Sequence, residues 1–298
     1  MNLFDQLVSE ALRNQQGLSP LRIVVEKELL HHDILREMSR AGLLATLTFV
    51  GGTCLRACYG SSRLSEDLDF TGGADFSREQ LSGLAAVLVD RLQRKYELHV
   101  EVGEPSRETG NVDTWRVKLQ TRPGQPDQPA QRIHIDICAI PSYQPRPMML
   151  RNQYGVDMGT NGLIVQAQSR EEILADKLVA FALRPNRLKH RDLWDITWLH
   201  QQGVALPLEL IPRKLSDHHC HRQRYVGLLA ERQQSLLSAP STRTDFQQEM
   251  RRFLPAALVA ETVDSPDFWN YLTSAIAEEC QRTRDALGTD TQMSHFKM

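Results

Sequence analysis

Asp67 and Asp69 flank Leu68 and precede Phe70, and the block begins thirteen residues after Gly51-Gly52-Thr53. On a strand alternate side chains share a face, so both carboxylates are expected to project together while Leu68 and Phe70 enter a core. Two negative charges so close repel unless a cation lies between them. Their hard oxygens suit Mg²⁺, which is held by one or two carboxylates and completed by substrate phosphates. Phosphoryl-transfer sites often use two such ions about 3.5–4 Å apart, and a pair of ions calls for a further acid. Asp136, set between Ile135 and Ile137, supplies it. The expected metal set is therefore Asp67, Asp69 and Asp136. Gly51 and Gly52 let backbone approach a triphosphate, and the Thr53 hydroxyl can hydrogen-bond a phosphate oxygen. An Asp-x-Asp pair alone is common on exposed strand faces. Joined to a strand before the glycines, alternating apolar residues and a third acid, it points to catalysis.

These side chains need a framework. Residues 1–18 read as a short amphipathic helix, and the apolar spacing from Val24 to about Ala41 predicts another, stopped at Gly42. LLATLTFV reads as a buried strand delivering Gly51-Gly52-Thr53, Leu55–Tyr59 as a helical turn, and LSEDLDF as a second strand. A helix over 77–96 and strands at LHVEV, TWRVKLQ and RIHIDICAI follow, the last two joined by the Pro/Gly/Gln-rich loop TRPGQPDQPAQ. Pro141, Pro145 and Pro147 end the strand-rich part. Beyond Gln166 the pattern is helical: Ser169 with Glu172 is a capping box opening a helix to about Leu183. Another helix runs from about His190 to Gln202 and stops at Gly203. Helical segments continue to about Leu287, with a loose tail beyond. The predicted organisation is α+β: a mixed β-sheet with flanking helices over 1–165, then an α-helical domain over 166–298.

The chain has 298 residues, 41% hydrophobic and 24% charged, enough for two packed units of an ordinary globular protein. Its formal net charge of -2 excludes a uniformly basic nucleic-acid coat but not a local basic groove. The start carries Asp5 and Glu10 and does not read as a secretory signal, and no stretch approaches a membrane-spanning length. Five scattered cysteines read as reduced thiols, so the expected compartment is the cytoplasm.

The combination FVGGTCLRACYGSSRLSEDLDF, IDI and ADKLVAFALRPNRLKHRDLWDI, with VEKELL upstream, resembles the AbiEii/AbiGii toxins, the MenT-like family of type IV toxin–antitoxin systems, within the DNA polymerase β-like nucleotidyltransferases. The resemblance spans about residues 24–200, and Leu64 stands where the family often has Phe. It implies a nucleotidyltransferase fold with a helical C-terminal half that completes the NTP site. It also implies an NTP substrate with Mg²⁺ or Mn²⁺, a cognate antitoxin, and, by analogy with some members, a tRNA 3′ end as acceptor. By that resemblance Asp67 and Asp69 bind metal, Lys177 meets the triphosphate, and Asp192 is an essential acid. With Asp136, these make the expected catalytic set; Gly51, Gly52, Thr53, Arg63, Ser65, Lys177 and Asp195 make the expected NTP set. From spacing alone, Lys177 reads equally as a snorkelling lysine. Asp192, Asp195 and Arg191 then read as an intrahelical ion-pair group.

Other clusters carry less. His218-His219-Cys220-His221 cannot converge as four adjacent residues on one tetrahedral ion. Cys54 and Cys58 read as a buried thiol pair. Arg213, Lys214, Arg222, Arg224, Tyr225 and Arg232, with Arg251-Arg252-Phe253 later, form a basic stretch able to grip RNA, with Tyr225 stacking on a base. A solvated helix face explains it as well. Against an RNA-modifying transferase stand two alternatives with the same motifs: transfer to a small molecule or protein, and a non-catalytic binding homologue.

Overall fold

A computed structural model of the chain describes residues 2–106, 110–123, 129–185, 188–239 and 241–295. The chain divides into two compact units, Met1–Gln168 and Ser169–Met298.

In the first unit, α1 (Leu3–Asn14) and α2 (Arg22–Arg40) precede β1 (Thr48–Val50), which runs directly into α3 (Gly51–Tyr59). Then come β2 (Leu68–Thr71), α4 (Leu84–Tyr96), β3 (Val100–Gly103), β4 (Val112–Leu119), β5 (Gln131–Cys138), β6 (Pro145–Met149) and β7 (Ile164–Gln168). Among the described residues these strands form one mixed sheet in the order β3-β4-β5-β2-β1-β7-β6. β2 lies antiparallel to β1 and parallel to β5. Phe49 and Phe70 pair across β1 and β2 with ring centroids 5.2 Å apart. Such an aromatic pair adds about 0.5–1.5 kcal/mol beyond area burial.

Several elements differ from the sequence expectation. The run LLATLTFV gives a strand of only three residues, because Gly42–Leu47 close turns on themselves (Leu43 N–H to Met38 O, 2.9 Å; Leu47 N–H to Leu44 O, 3.2 Å). LSEDLDF pairs only from Leu68. The 77–96 helix is split into a 3₁₀ turn over Arg78–Leu81 and α4, with Gly83 as the break. The sheet does not end at the prolines: β6 contains Pro145 and Pro147 and lies at the sheet edge, where a residue lacking N–H is tolerated. Residues 124–128 of the loop expected between β4 and β5 lie outside the described residues.

The second unit is helical: α5 (Arg170–Leu183), α6 (His190–Gln201), α7 (Ile211–Asp217), α8 (Arg222–Ser238), α9 (Thr242–Met250), the single turn α10 (Ala256–Leu258) and α11 (Pro266–His295). Ser169 caps α5 by accepting the Glu172 N–H at 3.1 Å, as the capping box predicts. The tail expected to be loose instead continues α11 to His295. No helix among the described residues is long and apolar enough to cross a membrane.

Helix α2 buries an unusual set of charges: Glu26, Glu28, His31, His32, Asp33, Arg36 and Glu37. Burying a charge is costly unless it is paired and hydrogen-bonded. Glu26 accepts from Arg22, Arg122 and Gln131 at 2.9, 2.6 and 2.6 Å. Asp33 binds Lys95 at 2.5 Å, Arg36 at 2.7 Å, and the Tyr96 hydroxyl. His32 Nδ1 hydrogen-bonds the Thr160 hydroxyl at 2.9 Å.

Burial pushes His32 down from 6.5 to about 4, with Glu28 opposing, and burial lowers His31 as well. The unfolded imidazole takes up a proton that the folded one refuses. Stabilisation by neutral His32 is thus complete above pH 6.5 and is lost as pH falls from 6.5 to about 4. At about 1.36 kcal/mol per pKa unit its full extent is roughly 3 kcal/mol. Denaturation midpoints measured from pH 7.5 downward will fall in the wild type. The curve will be flatter in His32→Gln, which keeps a hydrogen-bonding side chain with no proton to gain. An equal slope in both proteins would refute the assignment.

Candidate active site

The register of β2 gathers the acids. Asp69 lies opposite Val50 on β1 and opposite Asp136 on β5. Because Val50 is the last residue of β1, the N-terminus of α3 arrives beside Asp69. Gly51 adopts φ +75, and a Cβ placed there would stand 2.9 Å from Asp69 Oδ2. Only a residue without a side chain allows that approach. The glycines therefore open a helix immediately, rather than forming a turn that precedes one. Val50 provides no side-chain cap, so the first N–H groups of α3 are not claimed that way. A helix N-terminus with such donors favours phosphate.

The other acids are fixed by neighbours. Thr114, opposite Asp136 on β4, donates to Asp136 Oδ1 at 2.6 Å. Asp67 precedes the paired part of β2, and its Oδ1 accepts the backbone N–H of His134 at 3.0 Å. One Asp67 oxygen is thus turned to the β5 backbone, which modifies the expectation of two carboxylates simply sharing a strand face. Thr114 and His134 were not identifiable from spacing, because their roles arise from cross-strand register.

Three residues assigned to phosphate have internal partners instead. The buried Thr53 hydroxyl hydrogen-bonds the Ser65 hydroxyl at 2.6 Å and donates to the carbonyl of Asp67. Ser65 is buried, and its N–H donates to Glu28 Oε1 at 2.8 Å. Arg63 is buried and donates to the Leu64 carbonyl at 3.0 Å. These residues hold the segment leading into β2. The same segment is tied to α2 twice more, by Lys27 to Glu66 at 2.9 Å and by His31 Nε2 with the Glu66 carbonyl at 3.0 Å. Glu28 also pairs with Arg56 at 3.1 Å and accepts the Tyr154 hydroxyl. The VEKELL block is thus a brace for the RLSED block. The signal was charged residues on a helix whose apolar spacing already buries it.

In the second unit Lys177 meets Asp192 at 2.6 Å and Asp195 at 2.8 Å, and Arg184 also pairs with Asp192. Lys177 is therefore not a snorkelling lysine. Asp192 and Asp195 are also bound from the preceding helix through Lys177, and Arg191 pairs with Glu249 at 3.1 Å, so the group extends beyond one helix. Burial by itself would raise the Asp192 carboxyl; the cations Lys177, Lys189 and Arg184 outweigh it and hold the group far below the usual range. Asp192 is a fixed anion that holds the Lys177 ammonium in place.

The basic stretch divides. Lys214 is fully buried, pairing with Glu172 at 2.5 Å and Asp176 at 3.0 Å, and Tyr225 is buried, so neither can touch RNA. Cys54 and Cys58 are buried neighbours, and burial pushes the Cys54 thiol well up. Among the described residues no group of three or more His, Cys, Asp or Glu stands close enough to cage a metal: the expected trio Asp67, Asp69 and Asp136 does not form such a cage, because one Asp67 oxygen turns to the β5 backbone, and neither do the 218–221 histidines. Asp69 and Asp136 still fit a divalent ion of the Mg²⁺ kind: they are hard oxygens and lie in register on neighbouring strands. Such an ion is completed by substrate phosphates and water rather than by a protein cage.

The family described as "Nucleotidyl transferase AbiEii toxin, Type IV TA system" matches residues 33–274. Among solved structures, MenT4, a nucleotidyltransferase toxin from Mycobacterium tuberculosis H37Rv, is similar over 95% of this chain and 98% of that one, with 15% identity and a TM-score of 0.52. JHP933 from Helicobacter pylori is similar over 91% of this chain and 96% of that one, with 16% identity and a TM-score of 0.48. At such identity the MenT4 likeness is one of fold. No curated protein matches.

Gly51→Ala is expected to lose about 1–2 kcal/mol from the left-handed backbone. By displacing the Asp69 carboxylate it should also lower turnover at least about 100-fold while the protein remains folded. Turnover within threefold of wild type would show that the close approach is irrelevant. Lys177→Met leaves Asp195 without that cation and is expected to cost about 3–5 kcal/mol in denaturant titrations. Adding Asp195→Asn should recover part of the loss; no recovery would mean that the pair is not the cause.

Proposed function

This chain belongs to the AbiEii nucleotidyltransferase toxins of type IV toxin–antitoxin systems, and we propose that it transfers a nucleoside monophosphate from an NTP to RNA, at the 3′ end of tRNA. Membership makes it an NTP-using transferase with an antitoxin partner; the acceptor, Mg²⁺ as the ion and work in the cytoplasm are our proposal. The observation that supports it best is the pairing of Asp69 with Asp136 beside the uncapped N-terminus of α3.

In this scheme Asp69 and Asp136, assisted by the second oxygen of Asp67, would hold Mg²⁺. The ion, when bound, supplies Lewis-acid stabilisation of phosphate charge. The N–H groups of Gly51 and Gly52 receive phosphate oxygens. Thr114 fixes one oxygen of Asp136, and the other orients the acceptor hydroxyl and takes its proton. That hydroxyl attacks the α-phosphorus in line, the P–O bond to the β-phosphate breaks, and pyrophosphate departs. Lys177, in the helical unit, is assigned a phosphate contact from the family resemblance alone. Asp192 and Asp195 hold its ammonium in place, so Asp195 is a positioning residue for Lys177. Thr53, Arg63 and Ser65 act by positioning the acid-bearing strand.

Each labelled NTP, incubated with the protein, Mg²⁺ and total tRNA, tests this. Label should enter RNA with wild type, fall at least about 1000-fold with Asp69→Ala or Asp136→Ala, and fall about 100–1000-fold with Lys177→Ala. Label entering only protein or a small product would overturn the acceptor. Unchanged transfer by folded Asp69→Ala would overturn the site.

A further inference from the structure

A polar cleft lies wholly within the helical unit. It has a volume of about 720 Å³ and lies between the start of α6, the end of α8 and α9. Four basic side chains line it, Lys189, Arg191, Arg232 and Arg252, against two acids, Asp245 and Glu249. Their commitments differ. Arg191 is paired with Glu249. Arg232 donates one N–H to the Arg184 carbonyl at 2.6 Å. Arg252 is exposed and stacks over Phe253, its guanidinium carbon 5.6 Å from the ring centroid. Lys189 is half-buried, and its ammonium makes no hydrogen bond or ion pair among the described residues. Burial lowers its pKa, with Asp192 opposing. An ammonium so placed is satisfied by an anion.

The cleft adjoins the Lys177–Asp192 group. Lys189 is the residue from whose carbonyl α6 begins (Asp192 N–H to Lys189 O, 2.8 Å), and its charge is felt by Asp192. Arg232 holds the carbonyl of Arg184, whose guanidinium pairs with Asp192. The charge pattern favours a strand over a free nucleotide. A triphosphate concentrates its negative charge and would meet Asp245 and Glu249 at close range. A phosphodiester chain carries one charge per residue, spread along its length, and matches cations set at the start of α6, within α8 and just beyond α9. Hydroxyls of Ser235, Ser241 and Thr242 line the same walls and suit phosphate oxygens.

Building on the RNA acceptor proposed above, we propose that this cleft holds the phosphodiester backbone of the acceptor strand, with Lys189 and Arg252 as its two uncommitted cationic contacts.

Binding of a short fluorescent single-stranded RNA by the full-length protein, without NTP and over a range of salt, tests this directly. Lys189→Gln/Arg252→Gln should weaken binding at least about tenfold near 0.1 M salt and reduce the salt slope by about 1.4, near 0.7 per single-strand phosphate contact. ATP affinity by calorimetry should stay within about threefold of wild type, while the melting temperature should fall by a few degrees at most, because Lys189 also offsets the Asp192 charge. Lys189→Gln/Arg252→Lys, which restores one charge, should recover about half of the slope. Absence of RNA binding by wild type, or an unchanged slope in the double variant, overturns the proposal. So does a parallel loss of ATP affinity, which would make the cleft a triphosphate site. RNA binding that depends on the cleft but brings no label transfer would leave it standing while removing the proposed acceptor chemistry; transfer to RNA with an unchanged slope would do the reverse.

Discussion

The register of β2 between β1 and β5 is the constraint on which the first unit's chemistry depends. One side of β2 sets Asp69 opposite Val50, so that α3 must begin beside it; the other sets Asp69 opposite Asp136. A slip of one residue would send every side chain of the strand to the opposite face. Phe70 would then leave its contact with Phe49, and the acid would turn into the apolar interior. Burial of Leu68, Phe70, Ile135 and Ile137 makes that slip costly.

Apolar burial alone does not place the residues before the strand, and polar contacts take over there. Glu28 receives the Ser65 N–H, Lys27 binds the Glu66 side chain, and His31 meets the Glu66 carbonyl. A buried ion pair adds little net stability over a well-packed apolar pair, but removal of one partner is severe. The brace therefore acts mainly by making other placements of residues 65–67 expensive. The helical unit uses the same device around Lys177, where two buried aspartates fix one ammonium.

The acid motif was legible because strand alternation couples Leu68 and Phe70 to the core and leaves Asp69 outside it. The capping box at Ser169 and the glycine stop at Gly203 were legible because they are local backbone chemistry. Strand β6 escapes a sequence reading because prolines argue against a strand unless it lies at an edge, and edge position is not a local property; β7, only five residues long and running into the Ser169 helix start, gives too short a pattern. Thr53 and Ser65 looked like phosphate ligands because a hydroxyl near a glycine pair is chemically competent; their burial against each other gives them a different task.

What the sequence determined by itself was the set of participants: which acids are flanked by apolar residues, where helices start and stop, and which family the blocks resemble. Each depends on neighbours within a few positions along the chain. What only the tertiary structure decided was the pairing of those participants. Asp136 meets Asp69 across 67 positions of sequence, Thr114 reaches Asp136 from a third strand, Glu28 reaches Ser65 from a helix, and Lys177 finds Asp192 and Asp195 from the next helix. Such contacts are set by sheet register and by the need of each buried charge for a counter-charge, and neither is encoded at any single position.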